Sequence, residues 1–309
     1  MKFFNNKYRF LYLTLLAFVF ISTSAMAISG QVIIPDQIVT NLTKRPSKVF
    51  PPSPVLASDS SFPILSAQGA LAVDLDSGIS LYEKNPDTKL LPASTTKIVT
   101  ALVALDFYPL DQIVTVGKIK VVGQKMGLYP GEQISVGNLL NGLLVFSAND
   151  AAEVLARAYP EGYEAFITAM NQKAKDLAMV NSYFQNPAGL DGTSQITTAK
   201  DLIRVSEVAM RNPEFAKMVG TKSVSFTDTT GKIKYNLKNI NELLGVVPGV
   251  LGVKTGWTEN ARENLVTYIE RDGHKVMIAV LGSQDRFGET KELINWIFAN
   301  YQWQEVKLP

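Results

Sequence analysis

Cysteine is absent from the 309-residue sequence, so no disulfide can staple the fold and packing alone must hold it. The absence also closes the lipoprotein route to membrane attachment, because no cysteine follows the apolar leader. Histidine is nearly absent too, His274 being the single one. It lies in Arg271-Asp272-Gly273-His274, where the Asp-Gly pair marks a hairpin turn and the flanking pattern offers no buried partner. His274 is therefore read as a solvated turn residue, and a Ser-His-Asp triad is not expected. Charge of one sign is never in large excess. A net charge of +2 and a pI of about 8.5, with Lys and Arg scattered, leave no footprint for nucleic acid.

What remains is a chain with 46% hydrophobic residues, enough to bury a sizeable core. It opens with a basic cluster of Lys2, Lys7 and Arg9, an apolar run from Phe10 to Ile21, and Ser24-Ala25-Met26-Ala27. Residues 1–27 therefore read as a secretory signal peptide that takes the chain across the cytoplasmic membrane, to the periplasmic or the extracellular, cell-wall side. The apolar run is short of the roughly twenty residues that span a bilayer comfortably. Anchoring by an uncleaved N-terminus is the alternative. Residues 28–62 carry Pro35, Pro46, Pro51, Pro52 and Pro54 among serines, and read as an extended linker or a strap on the domain.

The folded domain is expected over 63–309. Ala67 to Asp74 and Ile79 to Glu83 read as strands joined at Asp76-Ser77-Gly78. Helical spacing dominates an insert over about 106–211, with segments at Val136 to Phe146, Asp150 to Ala158, Tyr163 to Leu177 and Asp201 to Arg211. Strand patterns return at Ser223 to Thr227, Lys232 to Leu237 and Val250 to Thr255. A hairpin follows from Glu263 to Arg271 and Lys275 to Gly282, then a helix from Arg286 to Asn300. Strands at both ends around a helical middle imply an α+β fold: one antiparallel sheet completed by the termini, with flanking helices and an all-helical subdomain.

Chemistry centres on Pro92-Ala93-Ser94-Thr95-Thr96-Lys97. Ile98, Ala101, Leu102 and Leu105 follow at helical spacing, which places Ser94 at or near a first turn with Lys97 on the same face. A serine hydroxyl needs an adjacent base. Lysine can serve if desolvation and a second cation bring it from about 10.4 towards neutrality, a change of about 4 kcal/mol. Such a site should contain another lysine. Ser-x-x-Lys alone is common by chance, but Ser147-Ala148-Asn149 and Lys254-Thr255-Gly256 follow in order.

Serine acyl-transfer enzymes that bind penicillin carry S-x-x-K, S-D-N and K-T-G in that order. The chain resembles the low-molecular-mass penicillin-binding proteins, the serine D-alanyl-D-alanine carboxypeptidases of peptidase family S11. The likeness runs from about Gly69 to about Tyr301. It includes Ala72-Val73-Asp74-Leu75-Asp76-Ser77-Gly78, Gly131-Glu132, Ser147-Ala148-Asn149-Asp150-Ala151 and Asn186-Pro187-Ala188-Gly189-Leu190-Asp191. The resemblance implies a five-stranded antiparallel sheet of the β-lactamase/transpeptidase-like class, with the active site between sheet and helical insert. It implies that Ser94 attacks the carbonyl between two D-alanines of a peptidoglycan stem peptide, that Lys97 takes its proton, and that Ser147 relays a proton to the leaving amine. Lys254 then supplies positive charge, Asn149 binds the substrate amide, Thr255 holds the departing carboxylate, and Ser94 and Trp257 give an oxyanion hole beside Gly256. β-Lactam antibiotics would be covalent inhibitors. The scheme needs no cofactor and no metal, and a monomer is expected.

The chain departs from the family in three places. Ala188 stands where the family usually has His. Arg262 follows Thr258-Glu259-Asn260-Ala261 where glycine is frequent, and would either recruit acidic substrate groups or pair on the surface. The family's C-terminal β domain and amphipathic anchor are not expected after residue 309. Other activities on this scaffold are a DD-endopeptidase, a β-lactamase, for which no Glu-x-x-Leu-Asn is found between Ser147 and Lys254, and a penicillin- or cell-wall-binding protein without turnover.

Overall fold

A computed structural model describes residues 51–57 and 61–305. The expected signal peptide, and the linker before residue 51, lie outside the described residues. In chain order the elements are β1 (Ser53–Leu56), β2 (Gly69–Asp74), β3 (Ser80–Lys84), a 3-10 turn (Ala93–Thr96), α1 (Lys97–Phe107), β4 (Ile113–Thr115), β5 (Gln133–Ser135), α2 (Val136–Val145), α3 (Asn149–Arg157) and α4 (Tyr163–Asp176). They continue with α5 (Ala199–Met210), α6 (Pro213–Val219), β6 (Ser223–Thr227), β7 (Lys234–Lys238), β8 (Val250–Thr258), β9 (Arg262–Arg271), β10 (His274–Ser283), α7 (Arg286–Asn300) and β11 (Tyr301–Gln304).

Five strands form one antiparallel sheet in the order β3-β2-β10-β9-β8. Its central strand shows why. Val276, Ile278 and Val280 pack with Leu293, Ile294 and Ile297 of α7, while Met277, Ala279 and Leu281 join the cluster formed with α1 and α5. Alternate side chains thus enter opposite layers, and burial on both faces makes the strand an almost continuous apolar run. Each fully buried aliphatic side chain of this kind contributes about 1.5–3 kcal/mol. Between Lys97 and Ala104 every residue of α1 is buried, so this helix is the central post of the helical layer.

Helix starts follow local capping chemistry. The Ser135 side chain accepts from Asn138 N at α2, Thr198 from Asp201 N at α5, and Asp285 from Gly288 N at α7. The Thr198 cap explains why α5 opens at Ala199, before the periodicity alone suggests. Ser53–Leu56, within the Pro/Ser-rich stretch, pairs with β11.

His274 is not a solvated turn residue. It is half-buried and stacked on Trp303, ring centroids 4.2 Å apart and planes 10° apart, while Trp303 Nε1 donates to Asp74 Oδ1 at 2.9 Å. The short strand β11 brings that indole, and its pattern is too brief to read beforehand. His274 pairs with Arg271, at the opposite end of the β9-β10 hairpin from Glu263 and Ser283.

Candidate active site

Ser94 sits on the 3-10 turn, and Lys97 is the first residue of α1. The turn is held in place from several sides. Asn264, buried on β9, donates to Leu91 O at 2.9 Å and Pro92 O at 3.0 Å, and accepts from Gly282 N at 2.8 Å. Thr95 Oγ1 donates to Pro92 O at 2.6 Å. Ala93, just before the nucleophile, has φ +48°, a left-handed conformation that costs a residue with a Cβ about 1–3 kcal/mol unless its surroundings impose it.

Lys97 is completely buried, with Nζ 2.7 Å from each of three oxygens: Ser94 Oγ, Asn149 Oδ1 and Ala188 O. Two of these are carbonyl oxygens that can only accept. A neutral amine satisfies them with its two N–H bonds, and its lone pair is then left for the Ser94 hydroxyl proton. Burial first, and then the charge of Lys254, lower the Lys97 pKa well below the ordinary lysine range, with Asp150 opposing. The Ser94 hydroxyl has one other acceptor near it, Ala188 O at 3.5 Å, too long to compete. Because the main-chain carbonyl of Ala188 makes this contact, the substitution of the family's His leaves Lys97's partner intact.

Asn149 was expected to bind a substrate amide. In this structure its Oδ1 accepts from Lys97 Nζ and its Nδ2 donates one N–H to Val122 O at 2.8 Å, and the side chain lines the cleft. It holds the Lys97 amine and ties down the 122–128 loop that walls the cleft. Asp150 completes that tie, its carboxylate accepting from Met126 N, Gly127 N and Leu128 N at 3.0, 2.7 and 3.1 Å. Asparagine offers one acceptor atom, so Asp150→Asn should strand at least one of these N–H groups and cost about 1–3 kcal/mol. Urea unfolding measures this; an unchanged midpoint would refute it.

Ser147 is not a helix cap, since Ala148 occupies the cap position of α3 without a side-chain bond. Ser147 is buried with φ +61°, and its Oγ accepts from Lys254 Nζ at 2.8 Å. Lys254, buried on β8, also donates to Thr255 O at 2.9 Å. Burial first, and then Arg286, pull its pKa down to about 7. In the unfolded chain lysine keeps its proton to about 10.4, so between those values the unfolded state binds more protons and stability rises with pH. Denaturation at pH 7 and pH 9 should show the wild type gaining stability and Lys254→Met gaining less. Equal gains would contradict the assignment.

Gly256 packs tightly against the turn that carries Ser94. A Cβ there would lie 3.0 Å from Ser94 N, 3.1 Å from Ala93 Cβ and 3.1 Å from Thr95 N. At this point β8 and the 3-10 turn touch. Gly189, at φ +84°, lies against the same turn from the other side, where a Cβ would collide with the Ala93 carbonyl.

These groups open into a cleft of about 810 Å³ lined by Ser94, Ser147, Asn149, Thr255, Gly256 and Trp257, among others. Trp257 stands at its rim, 62% exposed. The cleft also contains Arg286, which sequence reasoning passed over as an ordinary helix start. Its Nη1 donates to Gly256 O at 2.9 Å, and its buried Nε has no partner. Arg262 is exposed and does not line the cleft. The acids that do are Asp191 and Glu259; Asp191 is held by Thr258 Oγ1 at 2.6 Å and Asn260 Nδ2 at 3.0 Å.

Comparison with known proteins places this geometry. A family model described as D-alanyl-D-alanine carboxypeptidase, peptidase family S11, matches residues 57–285. The D-alanyl-D-alanine carboxypeptidase DacB2 of Mycobacterium tuberculosis is 35% identical over 243 residues, 75% of this chain and 82% of that protein. The D-alanyl-D-alanine carboxypeptidase DacF of Bacillus subtilis is 30% identical over 246 residues, 76% of this chain; the matched part spans 63% of that protein's length. Among solved structures, the Streptomyces K15 DD-transpeptidase superposes with a TM-score of 0.74 at 32% identity, covering 78% of this chain and 100% of the other. The chain belongs to the S11 family of serine peptidases, the D-alanyl-D-alanine carboxypeptidases.

Proposed function

We propose that the protein is a serine-type D-Ala-D-Ala carboxypeptidase that removes the terminal D-alanine from peptidoglycan stem peptides. The observation that carries this reading is the buried Lys97 amine, 2.7 Å from Ser94 Oγ and hydrogen-bonded to two pure acceptors. Lys97 takes the Ser94 proton as Oγ attacks the penultimate carbonyl. The tetrahedral oxyanion lies between the backbone N–H groups of Ser94 and Trp257, each such donor being worth about 3 kcal/mol. Ser147, polarised by Lys254, returns a proton to the departing amine. Thr255 and Arg286 hold the substrate's terminal carboxylate, a role that suits a half-buried guanidinium lining the cleft near Lys254 with its Nε unpartnered. Water then releases the shortened stem from Ser94.

A carboxypeptidase is favoured over a β-lactamase because, among the described residues, neither carboxylate that lines the cleft, Asp191 or the exposed Glu259, is hydrogen-bonded to Ser94 or Lys97. Asp191 is engaged across the cleft mouth by Thr258 and Asn260. β-Lactams are expected to acylate Ser94 and leave slowly. The leader-like residues 1–27 support action outside the cytoplasmic membrane, on the cell-wall side.

The test uses the purified protein with a stem-peptide mimic ending in D-Ala-D-Ala and its D-Ala-L-Ala counterpart. Free alanine should appear from the first alone, and fluorescent penicillin should block it in proportion to labelling. Labelling without alanine release would reduce the protein to a penicillin-binding one; rapid loss of label would make it a β-lactamase.

A further inference from the structure

Lys97 can take the Ser94 proton only while both N–H bonds of its neutral amine stay on their acceptors, and one of these, Ala188 O, belongs to the loop between α4 and α5. Ala188 has only a methyl side chain, so the direction of its carbonyl must be fixed by its neighbours. The neighbour placed to do so is Asn186. It precedes Pro187, which disfavours the helical region for it and brings no N–H of its own. The next three N–H groups converge on one atom: Asn186 Oδ1 accepts from Ala188 N at 3.2 Å, Gly189 N at 2.8 Å and Leu190 N at 3.0 Å. Its Nδ2 donates to Leu190 O at 2.9 Å, so a single amide closes the loop from both ends. Two buried side chains hold the loop in turn. Gln195 accepts from Asn186 N at 3.3 Å and donates to Leu190 O at 2.7 Å, and Thr100 of α1 donates to Pro187 O at 2.7 Å. Asn186, Gln195 and Thr100 do not line the cleft, so they act on substrate only through what they hold.

We propose that Asn186 is a positioning residue for acylation: it aims the Ala188 carbonyl at Lys97, and so turns the amine's lone pair, rather than an N–H, towards Ser94 Oγ. This rests on the assignment of Lys97 as the base of Ser94. The step itself is unchanged, the Ser94 proton moving to the Lys97 lone pair as the Oγ–acyl bond forms. Without the Asn186 amide three N–H groups lose their acceptor and Ala188 O is free to turn away. The released Lys97 N–H then competes with the lone pair for Ser94 Oγ, and a displacement of about 1 Å at a reacting group costs up to about 10²-fold. An aspartate at 186 separates aim from charge. It keeps an acceptor for the three N–H groups, while Leu190 O keeps the Gln195 donor. It also adds a negative charge two residues from the carbonyl that touches Lys97 Nζ. The charged groups already bearing on that amine are Lys254 of β8, which lowers its pKa, and Asp150 of α3, which raises it. An added carboxylate acts in the direction of Asp150 and keeps the lysine protonated to higher pH.

The test follows acylation of the purified protein by fluorescent penicillin in stopped flow from about pH 4 to pH 10, separating the affinity of the initial complex from the acylation rate constant. Asn186→Ala should acylate at least about tenfold more slowly, with the initial affinity within about twofold of the wild type. Asn186→Asp should recover to within about threefold of the wild-type maximum, with the midpoint of its rising limb moved up by about half a pH unit or more. A merely structural role would lower the melting temperature of both variants and leave that midpoint in place. A smaller loss in Asn186→Ala, a loss confined to the initial affinity, or a wild-type midpoint in Asn186→Asp overturns the proposal. Should Asn186→Ala fail to fold, the Asn186→Asp midpoint decides. A wild type that is acylated beside an unaffected Asn186→Ala removes the positioning role and leaves Lys97 as the base. A wild type that is not acylated at Ser94 overturns both.

Discussion

Replacing Lys97 by methionine should slow acylation of Ser94 by about 10³- to 10⁴-fold, the scale of a lost general base. The loss should appear equally in penicillin labelling and in D-alanine release, because both begin with the same proton transfer. No other base is placed to take over. His274 stacks on Trp303 at the opposite end of the β9-β10 hairpin, and Lys254 is bonded to Ser147 and Thr255 O. Methionine fills the buried slot without a charge to desolvate. It leaves Asn149 Oδ1 and Ala188 O without the Lys97 donor, at about 1–3 kcal/mol each, which removal of the buried amine partly offsets, so the variant should fold and melt below the wild type. Stopped-flow labelling, with Ser94→Ala as the zero, measures the effect. A Lys97→Met rate within tenfold of the wild type would remove the lysine from its assigned role.

The second large effect is expected at a residue with no side chain. Gly189→Ala puts a Cβ where the Ala93 carbonyl already is, at a backbone φ of +84°. Unlike a flexible side chain, that backbone cannot yield without moving Ser94, and the strained φ alone costs about 1–3 kcal/mol. The total should reach at least about 3 kcal/mol, with penicillin labelling reduced to near the Ser94→Ala baseline. Gly256→Ala keeps the prediction testable should the first variant fail to fold. Its Cβ would meet Ser94 N and Thr95 N at 3.0 and 3.1 Å, contacts tight enough to shift the turn by a few tenths of an ångström. That variant should melt cooperatively and still acylate at least tenfold more slowly, since small misplacements of a nucleophile are costly. Wild-type labelling in both glycine variants would show that the turn tolerates displacement.

What could be read from the letters depended on how local its cause was. Helix α7 was legible from Arg286 to Asn300, because its apolar positions repeat at helical spacing inside one segment. The β9-β10 hairpin was legible from Asp272-Gly273 between two apolar runs. The three motifs were legible as a set, though each is weak alone. Contacts between distant segments left no such trace. Asn264, which holds the segment before Ser94, lies 173 residues from Leu91, and nothing in its own strand marks it. Arg286 looked like a helix start until the fold brought its guanidinium under Gly256 O, whereas Arg262, adjacent to the motif in sequence, turned out to be exposed. Asn149's bond to Lys97 and the left-handed backbone of Ala93 and Ser147 are likewise products of tertiary packing.

The ionisation of Lys97 can be observed directly. With ¹³Cε-labelled lysine, the Lys97 resonance is assigned as the signal missing from Lys97→Met and followed from pH 5 to pH 11. An amine whose proton is disfavoured by burial, and then by the charge of Lys254, should show no titration step near 10.4 and should reach the neutral-amine chemical shift well below that pH. A Lys97 resonance that titrates near 10.4, as an exposed lysine does, would mean that the group beside Ser94 is an ammonium at working pH and cannot be its base.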